Sequence, residues 1–190
     1  MPRTKLLIAL GLLLSPAAAF AHTGQDHAGL LAGLAHPLFG LDHLLAMLAV
    51  GLWAAQQSGN ARWVLPLSFV LSMLVGGLLG FNGVHWPVLE GAIGASVLAL
   101  GLLVAVAARL PMAVASGLCA LFALSHGLAH GLELPSAASP WAYAAGFLAA
   151  TALLHAGGYA LVRLLPAATA PLVRLAGMGT AGVGVWWLAS

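Results

Sequence analysis

Two short runs of this chain concentrate side chains that bind metal ions. The first run, HPLFGLDH, contains His36, Asp42 and His43. His36 and His43 are seven residues apart, so they would share one face of a continuous helix. A residue before proline avoids the helical conformation, however, and Pro37 therefore favours a cap or loop position for His36, just above the helix. We expect His36 to fold from there over a site formed with Asp42 and His43.

The second run, SHGLAHGLE, places His126, His130 and Glu133 at positions i, i+4 and i+7. At 100° per residue, these three side chains fall within about 60° of one another around a helix. Such a stripe offers two imidazoles and one carboxylate to a single point.

Together the two runs supply four imidazoles and two carboxylates. Imidazole suits zinc, copper, iron and nickel ions, and carboxylate adds harder character. The chain has a single cysteine, Cys119, so an internal disulfide and a site with several thiolates are both excluded. The spacing and the chemistry predict one metal site with six ligand candidates: His36, Asp42, His43, His126, His130 and Glu133.

Four other residues are weaker metal-binding candidates. Glu90 is a candidate ligand, although a glutamate near a helix start can also extend to the membrane surface. His155 lies apart from both runs, and either a relay ligand on a conduction path or a buried hydrogen-bonding residue fits it. His22 and His27 flank Asp26 in the N-terminal segment, where they could help to capture a metal ion.

The elements that must position these residues are membrane helices. Apolar residues make up 62% of the 190 residues and charged residues only 5%, whereas a soluble domain carries roughly 25% charged residues. This composition excludes a soluble globular enzyme and a disordered tail, and it offers no basic surface for nucleic acid. The predicted fold class is an all-α integral membrane bundle.

Residues 1–21 have the pattern of a secretory signal peptide. Arg3 and Lys5 precede a short apolar stretch, and Ala19-Phe20-Ala21 fits the small-x-small cleavage rule. An uncleaved first helix is the alternative. Cleavage would place the mature N-terminus outside the cytoplasm and leave residues 22–190 as one transmembrane domain.

Six apolar runs follow, each close to the roughly 20 residues that a bilayer core requires. They cover residues 37–56, 63–81, 87–107, 111–132, 140–162 and 170–189. Threaded from outside, these spans place all four mature arginines on the cytoplasmic side, as the positive-inside rule requires. All four acids and seven of the eight histidines then lie outside or in outer helix segments, and only His155 lies deeper. Because ionisable residues inside a membrane normally face a cavity or a partner, we expect a polar site open to the extracytoplasmic face.

With these motifs the sequence resembles the HupE/UreJ family of nickel or cobalt permeases. The first family motif, H-P-x-x-G-x-D-H, is complete here as HPLFGLDH, and the second, F-H-G-x-A-H-G-x-E, reads SHGLAHGLE with Ser125 in place of the aromatic residue. The resemblance extends over the whole mature chain. It implies inward transport of Ni²⁺ or Co²⁺ across the cytoplasmic membrane, with the six ligand candidates as the residues that handle the metal.

Three functional hypotheses remain open from the sequence. The first is a metal permease and not an enzyme, with the transported Ni²⁺ or Co²⁺ and the lipid bilayer as partners, no permanently bound cofactor, no nucleic acid, and a homo-oligomer as one possible assembly. The second is a membrane-embedded metalloenzyme, either a zinc hydrolase or a di-iron oxidase, although no candidate nucleophile stands out. The third is a haem carrier, which the acids beside the histidines disfavour. An inverted repeat is excluded, because it would place the two motifs on opposite sides of the membrane.

Overall fold

The computed structural model describes residues 25–134 and 139–190, and these residues form helices and connections without any β-strand. The predicted signal peptide at residues 1–21 lies outside them. The elements are α1 (Gln25–Phe39), α2 (Leu41–Gln56), α3 (Ala61–Phe81), α4 (Leu89–Ala105), α5 (Met112–Leu132), α6 (Pro140–Leu164), a short 3₁₀ helix (Ala167–Thr169) and α7 (Ala170–Ala189). The all-α prediction is confirmed for this part of the chain.

Four of these helices, α3, α5, α6 and the last helix with its 3₁₀ turn, are long and apolar enough to cross a membrane. Helices α1 and α2 are together also long and apolar enough to form one broken span, which raises the number of candidates to five. Several such helices indicate a multi-pass membrane protein. The 17-residue α4 is apolar but shorter. Six spans would require α4 as well, and that number stays a prediction.

The start of the first predicted span is wrong. The sequence predicts a span over residues 37–56 that begins at Pro37, but Pro37 lies inside α1, and α2 begins only at Leu41. Gly40 between them is extended, with φ −85° and ψ 108°, and the two helices meet at an angle of 83°. The expected conformation of His36 is therefore also wrong, because His36 lies in the last turn of α1 instead of a loop. Proline disfavours the helical conformation of the residue before it without forbidding it.

Helix α2 lies at the centre of the bundle and contacts α1, α3, α4, α6 and α7. From Ala49 to Ala55 every residue of α2 is buried. A helix that is apolar on all sides suits such a position, because each of its faces meets another helix. Because α2 is central, its first turn, which contains Asp42 and His43, lies next to the surrounding helices.

Glycines allow close contact between the outer helices. A Cβ at Gly127 of α5 would overlap the Met73 carbonyl oxygen of α3, and a Cβ at Gly131 would overlap the Gly77 carbonyl oxygen. In a membrane, where lipid is as apolar as leucine, this close van der Waals packing of small residues stabilises helix pairs. The contact fixes the end of α5, where the second motif lies.

The two ends of the bundle differ in chemistry. Arg62, Arg109, Arg163 and Arg174 lie at the end where α2, α4 and α6 finish and α3, α5 and α7 begin, which we call the arginine end. The contact of Trp53 Nε1 with the Ala108 carbonyl oxygen, at 2.9 Å, joins two of these helix ends. Both predicted metal-binding motifs lie at the opposite end, which we call the histidine end.

Candidate metal site

The start of α2 carries the first part of the site. His43 is buried, and its Nδ1 lies 2.8 Å from Asp42 Oδ1. The ionised carboxylate only accepts hydrogen bonds, so Nδ1–H of a neutral His43 donates to it and the lone pair of the ring is left on Nε2. That Nε2 is buried and has no hydrogen-bond partner among the described residues. Asp42 thus orients His43, as carboxylates orient metal-binding histidines in many sites.

Helix α5 supplies His126, whose ring is held by α4. Ser96 Oγ lies 2.7 Å from His126 Nε2 and also 2.7 Å from the Ile93 carbonyl oxygen. A hydroxyl has one hydrogen, and the Ile93 carbonyl can only accept it, so His126 Nε2–H donates to Ser96 Oγ. The lone pair of His126 is then on Nδ1, which is buried and unpartnered among the described residues.

His130, one turn after His126, lies at the centre of the group. Its ring centroid is 4.0 Å from that of His43 and 4.7 Å from that of His36. The His43 and His126 centroids are 4.6 Å apart. His130 is 4% exposed, and neither of its ring nitrogens has a hydrogen-bond partner in the described part of the chain. The four imidazoles of the two motifs therefore form one continuous cluster.

The outer rim of the cluster contains His36 and Glu133. Glu133 is the C-cap of α5, and its Oε2 lies 3.4 Å from His36 Nε2. One ligand atom from each of His36, His130 and Glu133 can be chosen so that all three lie within 4.8 Å of one another. The Glu133 side chain is 58% exposed, whereas His130 is buried. The site therefore extends from an accessible carboxylate at the rim to buried imidazoles below it.

This arrangement is suited to a cation with several nitrogen ligands. Burying polar groups without hydrogen bonds is unfavourable, and the inward-facing nitrogens of His43, His126 and His130 lack such bonds within the described structure. A transition-metal ion would take up their lone pairs, and the carboxylates of Asp42 and Glu133 would offset part of its charge.

A mostly apolar cavity of about 130 Å³ adjoins the cluster between α3, α5 and α6. His130 and Tyr143 lie on its wall, together with Met73 and Phe147. The central imidazole of the cluster therefore borders open volume as well as its neighbouring rings.

The structure brings together the six residues of the two predicted motifs, and their metal-binding role stays a prediction. Of the four weaker candidates, the two whose side chains the structure describes, Glu90 and His155, lie outside this group. Glu90 is exposed in the first turn of α4, and His155 lies deeper in α6. His27 falls in the first turn of α1, and His22 lies outside the described residues.

Sequence reasoning missed two residues of the site. Ser96 lies in an apolar stretch of α4 with no motif around it, so only its contact with His126 shows its place. Tyr143 of α6 is buried, its ring centroid is 5.8 Å from that of His36, and its hydroxyl is unpartnered in the described structure. The polar hydroxyl of Tyr143 in a largely apolar helix was the only signal that could have indicated it, and Tyr159 of the same helix carries the same signal.

Comparisons with known proteins agree with the two motifs. The profile of a family described as HupE / UreJ protein matches residues 10–187. The chain is 47% identical over 167 residues to Protein HupE of Rhizobium leguminosarum bv. viciae, and this match covers 86% of each chain. No solved structure matches the chain significantly. On this evidence, the chain belongs to the HupE/UreJ family.

Proposed function

We propose that this protein is a permease that carries Ni²⁺ or Co²⁺ inward across the cytoplasmic membrane. The observation that carries the proposal is the convergence of six potential ligands from α1, α2 and α5 at one end of a membrane bundle. Several of the buried imidazole nitrogens there have no hydrogen-bond partner among the described residues. Family membership supports the same function. In this function the histidines and carboxylates bind a transported substrate and not a resident cofactor.

The orientation follows from the charges. We infer that the arginine end faces the cytoplasm and that the histidine end faces outward, since positively charged residues are retained on the cytoplasmic side. The mature N-terminus would then be extracytoplasmic after cleavage of the signal peptide, and α4 would complete a set of six spans.

Capture begins at the exposed Glu133 and the half-buried His36, where a hydrated cation first meets a carboxylate. The buried imidazoles then replace its water molecules. A transport site must bind an ion strongly enough to admit it and weakly enough to release it. Ligands on separate helices fit this requirement, because a small movement of α2 relative to α5 would separate His43 from His126 and His130.

Uptake of radioactive Ni²⁺ and Co²⁺ by cells that carry the protein tests this function. We expect uptake by the wild type and a loss of at least tenfold in Asp42→Asn and in His130→Ala, with Cys119→Ala as a matched control. Cys119 is buried in α5 at a distance of three turns from His130, outside the cluster. Normal uptake in both site variants would overturn the assigned site. Tight retention of stoichiometric metal without uptake would instead support a membrane metalloenzyme.

A further inference from the structure

Below the histidine cluster, α2 and α6 continue side by side toward the arginine end. Both helices place residues at four-residue intervals along their contact: His43, Met47 and Gly51 on α2, and Phe147, Thr151 and His155 on α6. Thr151 Oγ1 lies 3.5 Å from Met47 Sδ, and a Cβ at Gly51 would overlap the His155 carbonyl oxygen. The two rows therefore run in register, from the level of the cluster down to His155.

His155 is the deepest histidine in the described part of the bundle. It is 2% exposed, and neither ring nitrogen has a hydrogen-bond partner among the described residues. Phe147 contacts His130 in the cluster. His155 lies eight residues further along α6, which is about 12 Å along the helix axis. His155 is therefore a separate position and not a lower member of the cluster.

One aromatic ring contacts both positions. The Phe69 centroid is 6.0 Å from that of His126 and 5.1 Å from that of His155. Phe69 is fully buried, so the cluster and the deep imidazole share this neighbour within the bundle.

Packing alone does not account for a histidine here. A buried imidazole without hydrogen bonds is unfavourable, and an apolar side chain of similar size would fill the same volume without that cost. Ionisable residues inside membrane segments commonly mark ion pathways. The Met47 thioether and the Thr151 hydroxyl oxygen lie between the cluster and His155 and are further donor atoms along the same contact.

We propose that His155 is a second, inner binding station for the transported ion, reached from the cluster past Met47 and Thr151. This inference rests on the proposed transport function and extends it. The candidate metal ligands along this contact, the Met47 thioether, the Thr151 hydroxyl and the His155 imidazole, are neutral, whereas the cluster has two carboxylates. His155 would therefore hold a divalent cation more weakly than the cluster does and release it toward the arginine end.

Two measurements on the intact protein test the station: uptake of radioactive Ni²⁺ by cells, and equilibrium dialysis of the detergent-purified protein against Ni²⁺ alone. We expect the wild type to bind two ions at saturation. His155→Leu should bind one ion with an unchanged Kd at the cluster, and its uptake should be at least tenfold slower. His130→Ala should instead weaken binding at the cluster.

Two further variants make the test specific. Tyr159→Phe removes a hydroxyl from the same helix one turn further on, and it should behave as the wild type. His155→Gln keeps a polar side chain and should retain part of the uptake, at least threefold below wild type. If the His155→Leu protein does not accumulate in cells, uptake by His155→Gln tests the inner station in its place.

Wild-type uptake in both His155 variants would overturn the station while leaving the permease function intact. Loss of cluster binding in both variants would also overturn it, because it would assign His155 to the packing of the bundle. A wild type that neither binds nor takes up Ni²⁺ or Co²⁺ would overturn the permease function itself, and the station with it.

Discussion

Two histidines of the cluster are each held by one hydrogen bond that leaves the other ring nitrogen available. His43 donates from Nδ1 to Asp42, and His126 donates from Nε2 to Ser96. The two partners therefore set which nitrogen of each ring can bind a cation. Asp42 has a structural role in this arrangement in addition to its charge, and Ser96 has a role that no motif indicates.

Replacement of Ser96 by alanine removes the acceptor of the His126 Nε2–H. We expect the ring to lose its preferred tautomer and orientation, and Ni²⁺ affinity to fall roughly tenfold to a hundredfold, as for other partners of metal-binding histidines. Equilibrium dialysis of the purified variant measures this change. Ser68→Ala is the matched control, because the Ser68 hydroxyl donates to the Val64 carbonyl oxygen of its own helix and has no other hydrogen-bond partner among the described residues. An unchanged affinity in Ser96→Ala would contradict the assigned hydrogen bond.

Among the elements, the junction between α1 and α2 brings His36 over the cluster. Gly40 is extended there, and a Cβ added to it would lie 3.0 Å from Asp42 Oδ1 and 3.2 Å from His43 Nδ1. Both distances are tighter than ordinary van der Waals contact, so a side chain at this position would push against the carboxylate–imidazole pair.

We expect Gly40→Ala to weaken Ni²⁺ binding severalfold, because Asp42 and His43 must shift to admit the methyl group. The thermal unfolding temperature in detergent should change little, since the crowded atoms belong to side chains at the bundle end. Gly91→Ala is the control, as a Cβ there would meet nothing within 4 Å. Wild-type affinity in Gly40→Ala would show that the pair tolerates the shift.

The contact between α3 and α5 sets the position of the second motif. In Gly127→Ala, the new Cβ would overlap the backbone of α3 at Met73, so the helices must separate. We expect a lower unfolding temperature and a loss of uptake, because His126 and His130 lie on the displaced segment. Gly117→Ala on the same helix has open space around it, and it should be neutral or stabilise the helix by up to about 1 kcal/mol. Equal stability of the two variants would contradict the close contact.

For the whole molecule, the separation of arginines from the histidine cluster predicts the orientation in the membrane. Single cysteines introduced in a Cys119→Ala background can test it with a membrane-impermeant thiol reagent. We expect Asn60→Cys, beside Arg62 in an exposed turn, to react only when the cytoplasmic face is accessible. Asn82→Cys, which is exposed at the histidine end, should react from outside in intact cells. The reverse pattern would overturn the proposed orientation and the inward direction of transport.

Much of the fold could be predicted because the membrane restricts it strongly. Backbone polar groups must be satisfied within each span, so long apolar runs become helices. The runs 111–132, 140–162 and 170–189 agree with α5, α6 and α7 to within two residues. The predicted start of the first span at Pro37 is wrong, because the contact of α1 with α6 outweighs the local preference of a residue before proline. Conformational preferences of neighbouring residues carry no information about a contact between two helices so far apart in the chain.

The order of residues along the chain was enough to predict which side chains could bind a metal ion and at which end of the bundle they lie. Helical periodicity places His126, His130 and Glu133 on one face, and the order of charges along the chain separates arginines from histidines. Which atoms meet depends on how the helices pack. The contact of Ser96 with His126, the bend at Gly40 and the alignment of His155 with Met47 and Thr151 all depend on residues far apart in the chain. Such contacts are set by how helices pack against one another, and the pattern along a single helix does not contain that information.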